Sequence, residues 1–228
     1  MHQRPHPLDG RLPDFGGTVR YRTLMASDVS TGLTKAARGR QVSQWTPREV
    51  ELLKVTLRLL QEHGYDRLSV DEVAAESKAS KATIYRRWPS KAELVLAAFI
   101  EGMRAQLVRP NTGSLREDLL RIGTNALADV RRNTPVMRGL LIEIERNPAL
   151  TKAFRTKFVD ERKALIDDVL FAAVQRGEID ADAVNEELWD LLPGYLVFRS
   201  LLPVRSPTAD TVRTLVDDVI MPSLTRER

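Results

Sequence analysis

The 228-residue sequence predicts an all-α protein. Beyond Gln44 its apolar residues recur every three or four positions, which is the period of a helix with one buried face. Residues that can cap a helix stand at the start of successive apolar runs. No segment alternates apolar and polar residues at the period of a strand. The length allows one domain or two small ones, with a core that needs no disulfide.

The first 43 residues differ from the rest of the chain. Prolines and glycines interrupt them and no apolar period is present, so residues 1–43 are predicted to form a disordered or loosely attached arm. They hold seven Lys and Arg against three Asp and Glu. Because the full sequence has 35 basic and 31 acidic residues, the part beyond the arm is neutral overall. The alternative that translation starts at Met25 stays open.

Six helix starts are marked in the sequence. In four of them a Ser or Thr is followed three residues later by Glu, the capping-box pattern in which hydroxyl and carboxylate satisfy backbone N–H groups. In the other two, Pro occupies the first helical position, where its missing N–H costs nothing. The six starts lie at Thr46, Ser69, Ser90, Ser114, Thr134 and Asn147.

These starts, the stop signal at Gly64 and the apolar period together predict a series of helices. A long first helix with Leu53, Leu57 and Leu60 on one stripe precedes two short ones, and longer helices follow. The predicted ranges are 47–63, 69–76, 80–87, 90–110, 115–132, 135–146, 148–176, 183–202 and 208–222.

The composition excludes most enzyme chemistry. The sequence has no cysteine, and its histidines are His2, His6 and His63, so the parts for a thiolate zinc site or a histidine triad are missing. Its acidic residues lack the Glu-x-x-His spacing of di-iron bundles. We therefore expect no enzyme activity, no metal and no cofactor. The lack of a long apolar run predicts a cytoplasmic protein without a membrane span.

Residues 78–92, KASKATIYRRWPSKA, hold five basic residues and no acidic one. Such a run is often only a solvated surface. Here it forms the second of two short helices joined by a brief turn after a long apolar helix, which is the plan of a helix-turn-helix that reads the DNA major groove. Ser80, Lys81 and Thr83 are then expected at base edges, and Ile84 in the core.

Other side chains of this region suit the phosphate backbone of DNA, either through their own donors or through free N–H groups at a helix start. The predicted phosphate contacts are Tyr85, Arg86, Arg87 and Lys91, together with the N-caps Thr46 and Ser69. The arm offers a further contact, because Lys35, Arg38 and Arg40 could enter a DNA groove. The alternative is that the arm is a solvated tail.

The stretch from Ser69, SVDEVAAESKASKATIYRRWPSKAELVLAAF, resembles the helix-turn-helix of the tetracycline-repressor (TetR) family, including its tyrosine and its aromatic-Pro-Ser-Lys sequence. The resemblance covers about residues 46–99. The DNA contacts that it implies are Thr46, Ser69, Ser80, Lys81, Thr83, Tyr85, Arg86 and Lys91. The chain departs from the family at Ala79 and Ala82, where valine and glycine are common, and at the turn 76–78, which lacks the usual glycine. These departures bear on which operator is read.

The body after Arg109 resembles one subgroup of the family's C-terminal domains, which commonly enclose an effector cavity. Aromatic and long apolar residues recur here at helical spacing on faces expected to turn inward. Most such residues form a core, but a subset can line a cavity for an apolar or aromatic effector, with Tyr195 and Arg138 as polar handles. The candidate lining is Phe99, Met103, Leu107, Leu127, Met137, Leu141, Phe154, Phe158, Tyr195 and Phe198.

A homodimer is expected because two-fold pairing places two recognition helices about one DNA turn, roughly 34 Å, apart. The last two long helices carry enough apolar residues for an intersubunit bundle, and the resemblance points to the same surface. The candidate residues are Leu188, Leu191, Leu192, Leu196, Leu215, Val216, Val219 and Ile220.

Together these observations predict an N-terminal three-helix DNA-binding domain with a helix-turn-helix, residues 44–99, followed by an α-helical ligand-binding and dimerisation bundle, residues 100–228. The predicted function is that of a DNA-binding transcriptional regulator, a repressor released from double-stranded operator DNA when a small-molecule effector moves the helix that starts at Ser90. The alternative is an activator or an effector-independent DNA-binding protein of the same fold.

Overall fold

The computed structural model describes residues 43–104, 107–184, 187–202 and 206–225. Every regular element in these ranges is helical, so the all-α prediction is confirmed. The predicted arm lies outside the described residues except for Ser43. The α-helices, numbered α1 to α10 in chain order, are Pro47–Arg67, Val70–Glu76, Lys81–Arg87, Lys91–Arg104, Leu115–Arg146, Pro148–Phe154, Asp160–Gln175, Glu187–Leu201, Ala209–Thr214 and Met221–Thr225.

Three shorter helical segments connect some of these helices. A π-helical segment, Arg155–Val159, joins α6 to α7, and a second one, Leu215–Ile220, joins α9 to α10. A 3-10 turn, Ala181–Ala183, follows α7. The predicted helices 148–176 and 208–222 are therefore helical along their length, but each contains a wider π turn that the apolar period did not indicate.

Five of the six predicted helix starts begin a helix. Thr46 and Glu49 form a complete capping box, in which the Glu49 carboxylate accepts the Thr46 N–H at 2.8 Å. The hydroxyls of Ser90 and Ser114 accept the N–H three residues later, at 3.1 and 3.5 Å. The Ser69 hydroxyl instead accepts the N–H two residues later, at 3.2 Å. These caps satisfy donors that have no partner inside the helix.

Gly64 breaks the first helix, as predicted. Its φ of 78° and ψ of 173° are not helical, and only glycine adopts this conformation at low cost. The chain then makes one more turn up to Arg67 before α2 begins. The break lets Tyr65 pack against α5 rather than continue along the axis of α1.

The predicted helix start at Thr134 is wrong. Residues Leu115–Arg146 form one continuous helix with Pro135 inside it. An interior proline costs about 3 kcal/mol, but the helix buries one unbroken face on both sides of it, and each fully buried apolar side chain contributes about 1.5–3 kcal/mol. The buried residues around the proline are Leu127, Val130, Asn133, Val136, Met137, Leu140 and Ile144.

The helix predicted over 90–110 ends earlier than expected. The structure assigns it to Lys91–Arg104, and residues 107–110 are not helical. Val108 and Arg109 are exposed, so they supply no buried side chain that would stabilise a further helical turn. The residue before Pro110 is also restricted away from helical angles.

The buried side chains form two clusters. The first, core 1, joins α1 to α4 with the second half of α5 and with Leu150 of α6. The second, core 2, joins the first half of α5 with α7, α8 and the segment from α9 to α10. Because α5 contributes to both, it is the element that connects the N-terminal helices to the body. No described helix is long and apolar enough to cross a bilayer.

The residues predicted to form an intersubunit bundle mostly pack inside their own chain, which corrects that prediction. Core 2 contains Leu192, Leu196, Leu215, Val216 and Ile220 as buried members, with Leu188 and Leu191 packed against them. Of the eight residues predicted for the bundle, only Val219 is exposed, at 39%. These helices need most of their apolar residues to form the core of the body, so apart from Val219 a partner subunit would have to contact other side chains.

Candidate nucleic-acid interface

The helix-turn-helix consists of α2, the turn 77–80 and α3. Ile84 anchors α3 from behind and is only 1% exposed, and Trp88 closes its C-terminal end at 4% exposed. The other six residues of α3 are exposed. They are Lys81, Ala82, Thr83, Tyr85, Arg86 and Arg87. The seven-residue helix therefore presents two hydroxyls, three cations and one small side chain outward from a fixed base, the inventory that reads base edges and phosphates.

Ser80 caps α3 and orders its first turn. Its hydroxyl accepts the Thr83 N–H at 3.1 Å, and the two side-chain oxygens lie 2.8 Å apart. The hydroxyls of Ser80 and Thr83, both predicted to read base edges, are therefore exposed and hydrogen-bonded to each other. Each keeps further donor or acceptor capacity for a base edge.

The turn before α3 is held by Arg48, which the sequence analysis missed. Its guanidinium donates to the carbonyl oxygen of Ser77 and, at 2.9 Å, to that of Lys78. Lys78 has a φ of 51°, the only positive φ among the described residues other than glycine. Lys78 belongs to the turn 76–78, in which the TetR resemblance leads one to expect a glycine. The Arg48 contacts hold the turn in a conformation that lysine adopts at a cost.

Two of the predicted basic contacts already have partners within the chain. Lys81 forms an ion pair with Asp71 of α2. Arg87 binds Glu49 at 2.8 Å and lies 4.8 Å from the centre of the Trp45 ring. These ion pairs are exposed in part and contribute little to stability, so a phosphate can compete for the same cations.

Lys91 is half-buried and points toward the end of α1. Its ammonium lies 4.7 Å from the centre of the Tyr65 ring and 3.4 Å from the Asp66 carbonyl oxygen. Burial raises the pKa of Tyr65 to about 12, with smaller effects from Glu143 and Asp66, so its hydroxyl is protonated at pH 7. Lys91 and Tyr65 together fix the first turn of α4 against α1.

Thr46 and Ser69 lie at exposed helix starts, as the sequence predicts for backbone contacts. The Thr46 backbone N–H lowers the pKa of Glu49, and the hydroxyl of Thr46 and the charge of Arg87 lower it further against partial burial. The carboxylate therefore stays charged between the N-cap of α1 and the last turn of α3. It connects the two helices that flank the concave face lined by Arg48, Ser80, Thr83 and Arg86.

Comparison of the sequence with known protein families agrees with the helix-turn-helix just described. Residues 52–98 match the bacterial regulatory proteins of the tetR family, and residues 109–219 match the tetracyclin repressor-like C-terminal domain. The chain belongs to the TetR family of transcriptional regulators. As a member of that family it is a DNA-binding transcriptional regulator, which confirms the predicted function at this level.

Relatives of known sequence support the same family. An uncharacterised HTH-type transcriptional regulator of Mycobacterium tuberculosis is 65% identical over 184 residues, which cover 81% of this chain and 91% of that protein. The DNA-binding transcriptional repressor TetR of Mycobacteroides abscessus is 35% identical over 184 residues, which cover 79% and 95% of the two chains.

Solved structures agree on the fold of this TetR-family chain. The crystal structure of the TetR family transcription regulator SCO0332 superposes with a TM-score of 0.63 at 29% identity, covering 79% of this chain and all of that one. The flavonoid-responsive regulator FrrA gives a TM-score of 0.56 at 20% identity and covers 79% of this chain and 98% of that one. The second likeness concerns the fold alone.

The ten candidate effector-lining residues do not share one lining in this conformation. Phe99, Met103 and Met137 are buried in core 1, with Phe154 and Phe158 packed against it. Leu127 belongs to core 2. Leu107 lines an open groove of about 760 Å³ between α1 and α4. The apolar period predicts burial but does not tell which of two cores a residue joins.

Three of the ten are exposed, which corrects the expectation that they turn inward. Leu141 and Tyr195 are each 37% exposed, and Phe198 is 59% exposed. The two predicted polar handles point along the surface. The Arg138 guanidinium donates to the Leu201 carbonyl oxygen at 2.8 Å, and the Tyr195 hydroxyl accepts from Arg199 at 2.8 Å.

Phe99 of α4 forms a compact cluster with Phe154 and Phe158, which pack against core 1. The Phe158 ring lies 5.0 Å from that of Phe99 and 4.8 Å from that of Phe154, stacked on the latter. Arg162 covers the other side, with its guanidinium carbon 3.6 Å from the centre of the Phe158 ring.

Within the described ranges no group of three or more His, Asp and Glu side chains could hold a metal ion.

Proposed function

We propose that the protein is a dimeric repressor that leaves its operator when a small-molecule effector binds the helical body. The observation that carries the proposal is the exposed face of α3, which presents Lys81, Thr83, Tyr85 and Arg86 while Ile84 anchors the helix in core 1. The relative from M. abscessus is described as a repressor, which supports the same role here.

In this proposal Ser80, Lys81 and Thr83 read base edges, while Tyr85, Arg86, Arg87 and Lys91 bind phosphates with help from the helix starts at Thr46 and Ser69. Replacing Thr83 with Ala should cost about 1–3 kcal/mol on the selected operator and little on random DNA. Replacing Arg86 with Ala should weaken binding to both and reduce the salt slope by about 1.

The matched control for the lost charge is Lys54→Ala, because Lys54 is exposed on α1 and pairs with Glu51 of the same helix. It should bind both duplexes like wild type. Fluorescence anisotropy at several salt concentrations measures all three variants. Equal losses of Thr83→Ala and Arg86→Ala on specific and random DNA would contradict the separate roles.

Repression and activation are separated by a reporter behind the protein's own promoter. Expression should rise when the gene is deleted and fall again when it is restored. A fall on deletion would favour the activator alternative. An unchanged response to every compound that binds the purified protein would favour a DNA-binding protein without an effector.

The proposed dimer surface uses the apolar side chains that α8 and the last helical segment leave exposed. These are Tyr195, Phe198, Leu202 and Val219. Phe198→Asp should give a monomer in sedimentation and lose operator affinity, because burying an unpaired carboxylate is costly. Val108→Asp is the control, since Val108 is 63% exposed between α4 and α5. A dimeric Phe198→Asp variant would reject this surface.

The effector is proposed to be an apolar or aromatic compound that enters between Phe99, Phe154 and Phe158. This cluster packs against α4, which follows the recognition helix after three residues, so a ligand that separates the rings would move that helix. Thermal-shift screening with flat apolar compounds should find ligands that also release the operator. Ligands that bind equally well to Phe158→Ala would refute this location.

A further inference from the structure

A polar cluster lies inside the otherwise apolar junction of α1, α4 and α5. Asn133 of α5 is only 1% exposed. Its side-chain oxygen accepts from Gln61 Nε2 of α1 at 2.9 Å, and its Nδ2 donates to the Asp129 carbonyl oxygen at 2.8 Å. The same Nδ2 lies 3.6 Å from Met103 Sδ of α4. One buried amide therefore contacts the end of α1 and the end of α4.

Arg162 of α7 holds the same point of α4 from the other side. Its Nη2 donates to the Met103 carbonyl oxygen at 3.5 Å, and its Nη1 donates to the Phe158 carbonyl oxygen at 3.2 Å. Burial lowers the pKa of Arg162 to about 10, so the guanidinium is charged at pH 7 although much of it is shielded from water. The last turn of α4 is thus held by polar groups from both α5 and α7.

Apolar contacts are less directional than hydrogen bonds, so by themselves they fix the alignment of α1 and α4 on α5 less sharply. A buried hydrogen-bonding side chain is directional, and leaving its partners unpaired is costly, so it fixes one alignment of the helices. Only residues 88–90 separate α3 from α4. Whatever fixes the direction of α4 therefore fixes the direction in which the recognition helix projects from the body.

We propose that Asn133 is a positioning residue for operator binding. It sets the angle of α1 and α4 on the body, and through that angle the distance between the two recognition helices of the dimer. The inference rests on the proposed dimeric binding to a two-part operator. Asn133 itself touches no DNA in this proposal, so its effect should concern the spacing of half-sites and not the affinity for one half-site.

The test compares Asn133→Leu with Asn125→Leu, an exposed position on the same helix. The probes are a duplex with one half-site, the full operator selected by the wild-type protein from random DNA, and the same operator lengthened by two base pairs. Asn133→Leu should bind the single half-site like wild type. Its preference for the native spacing over the lengthened one should fall by about two- to tenfold, the worth of one buried hydrogen bond. Asn125→Leu should keep the wild-type preference.

Gln61→Met removes the same hydrogen bond from a half-buried position and covers the case in which Asn133→Leu does not fold. Thermal unfolding checks both variants before binding is measured. If the folded variants keep the wild-type preference, or lose affinity equally for all three duplexes, the inference is overturned while the proposed repressor stands. A wild-type protein that binds without forming a dimer would overturn the proposed dimer and this inference together.

Discussion

Gly139 of α5 packs against Tyr65 in the last turn of α1, and replacing it with alanine should destabilise the protein. A Cβ at this position would lie 2.8 Å from Tyr65 Cγ and closer still to Tyr65 Cβ, whereas ordinary contact begins at 3.4 Å. Tyr65 Cβ is attached directly to the backbone and cannot rotate away. The helices themselves would have to separate by more than half an ångström, a change that a close-packed interior resists.

The magnitude follows from two opposed effects. Gly→Ala inside a helix gains about 1 kcal/mol of helix propensity. Overpacking costs about 1–3 kcal/mol, and the upper end applies because a backbone-attached atom is in the way. The expected net loss is about 2 kcal/mol, which lowers the melting temperature by about 4–8 °C for a chain of this size.

Gly102→Ala provides the matched comparison within α4. Its added Cβ would overlap only Leu57 Cδ2, the end of a flexible side chain, and the next atom is 3.5 Å away. A rotamer change of about 1 kcal/mol then cancels the gain in propensity. Thermal unfolding followed by circular dichroism measures both variants. If Gly139→Ala is as stable as wild type, the close approach of α1 and α5 is refuted.

Three further predictions concern the helix-turn-helix. Lys78→Gly should be more stable than Lys78→Ala by about 1 kcal/mol in urea unfolding, because only glycine adopts the left-handed φ without strain; equal stability would contradict the strained turn. Ile84→Ala should lose about 2–4 kcal/mol in the same assay, since it empties a fully buried site; a loss below 1 kcal/mol would mean that α3 is not anchored there. Glu49 has a lowered pKa, so its stabilisation is fully present above the ordinary value of 4.5 and is lost as the pH falls through the folded pKa. The difference in unfolding free energy between wild type and Glu49→Gln should therefore be larger at pH 7 than at pH 3, and a constant difference would exclude the ionised cap.

The local features of the fold were predictable from the sequence. Capping patterns at Thr46, Ser90 and Ser114 and the stop at Gly64 depend on residues within one turn of each other, and the structure contains all of them. The helix-turn-helix was equally predictable from the sequence, because its basic residues and its anchor, Ile84, lie within seven residues.

The contacts that assemble these helices were not predictable in the same way. Arg48 reaches a turn 29 residues away, and Gln61 binds Asn133 at a separation of 72 residues. The spacing of apolar residues within one helix does not indicate contacts between residues so far apart in the sequence. The helix start at Thr134 was predicted wrongly because the local cost of Pro135 is evident in the sequence. The burial that outweighs this cost is a property of the assembled core.

The residues of the effector site and of the dimer surface were the hardest to predict from the sequence. Helix α8 is apolar on most of its sides, so its periodicity does not single out one buried face. Leu192 and Leu196 turn into core 2, while Tyr195 and Phe198 turn out. Distinguishing these pairs requires the position of α5, which no pattern within α8 contains.

Core 1 extends from α1 through the second half of α5 to Leu150 and so crosses the predicted border between residues 99 and 100. Anyone building a chimeric regulator by joining this DNA reader to a foreign sensor would cut through that interior if the joint were made at residue 100. A graft that carries α5 and the first turns of α6 along with α1 to α4 keeps the apolar interior intact. The transferable module is therefore about twice the size of the predicted DNA-binding domain, and the whole of helix α5 travels with it.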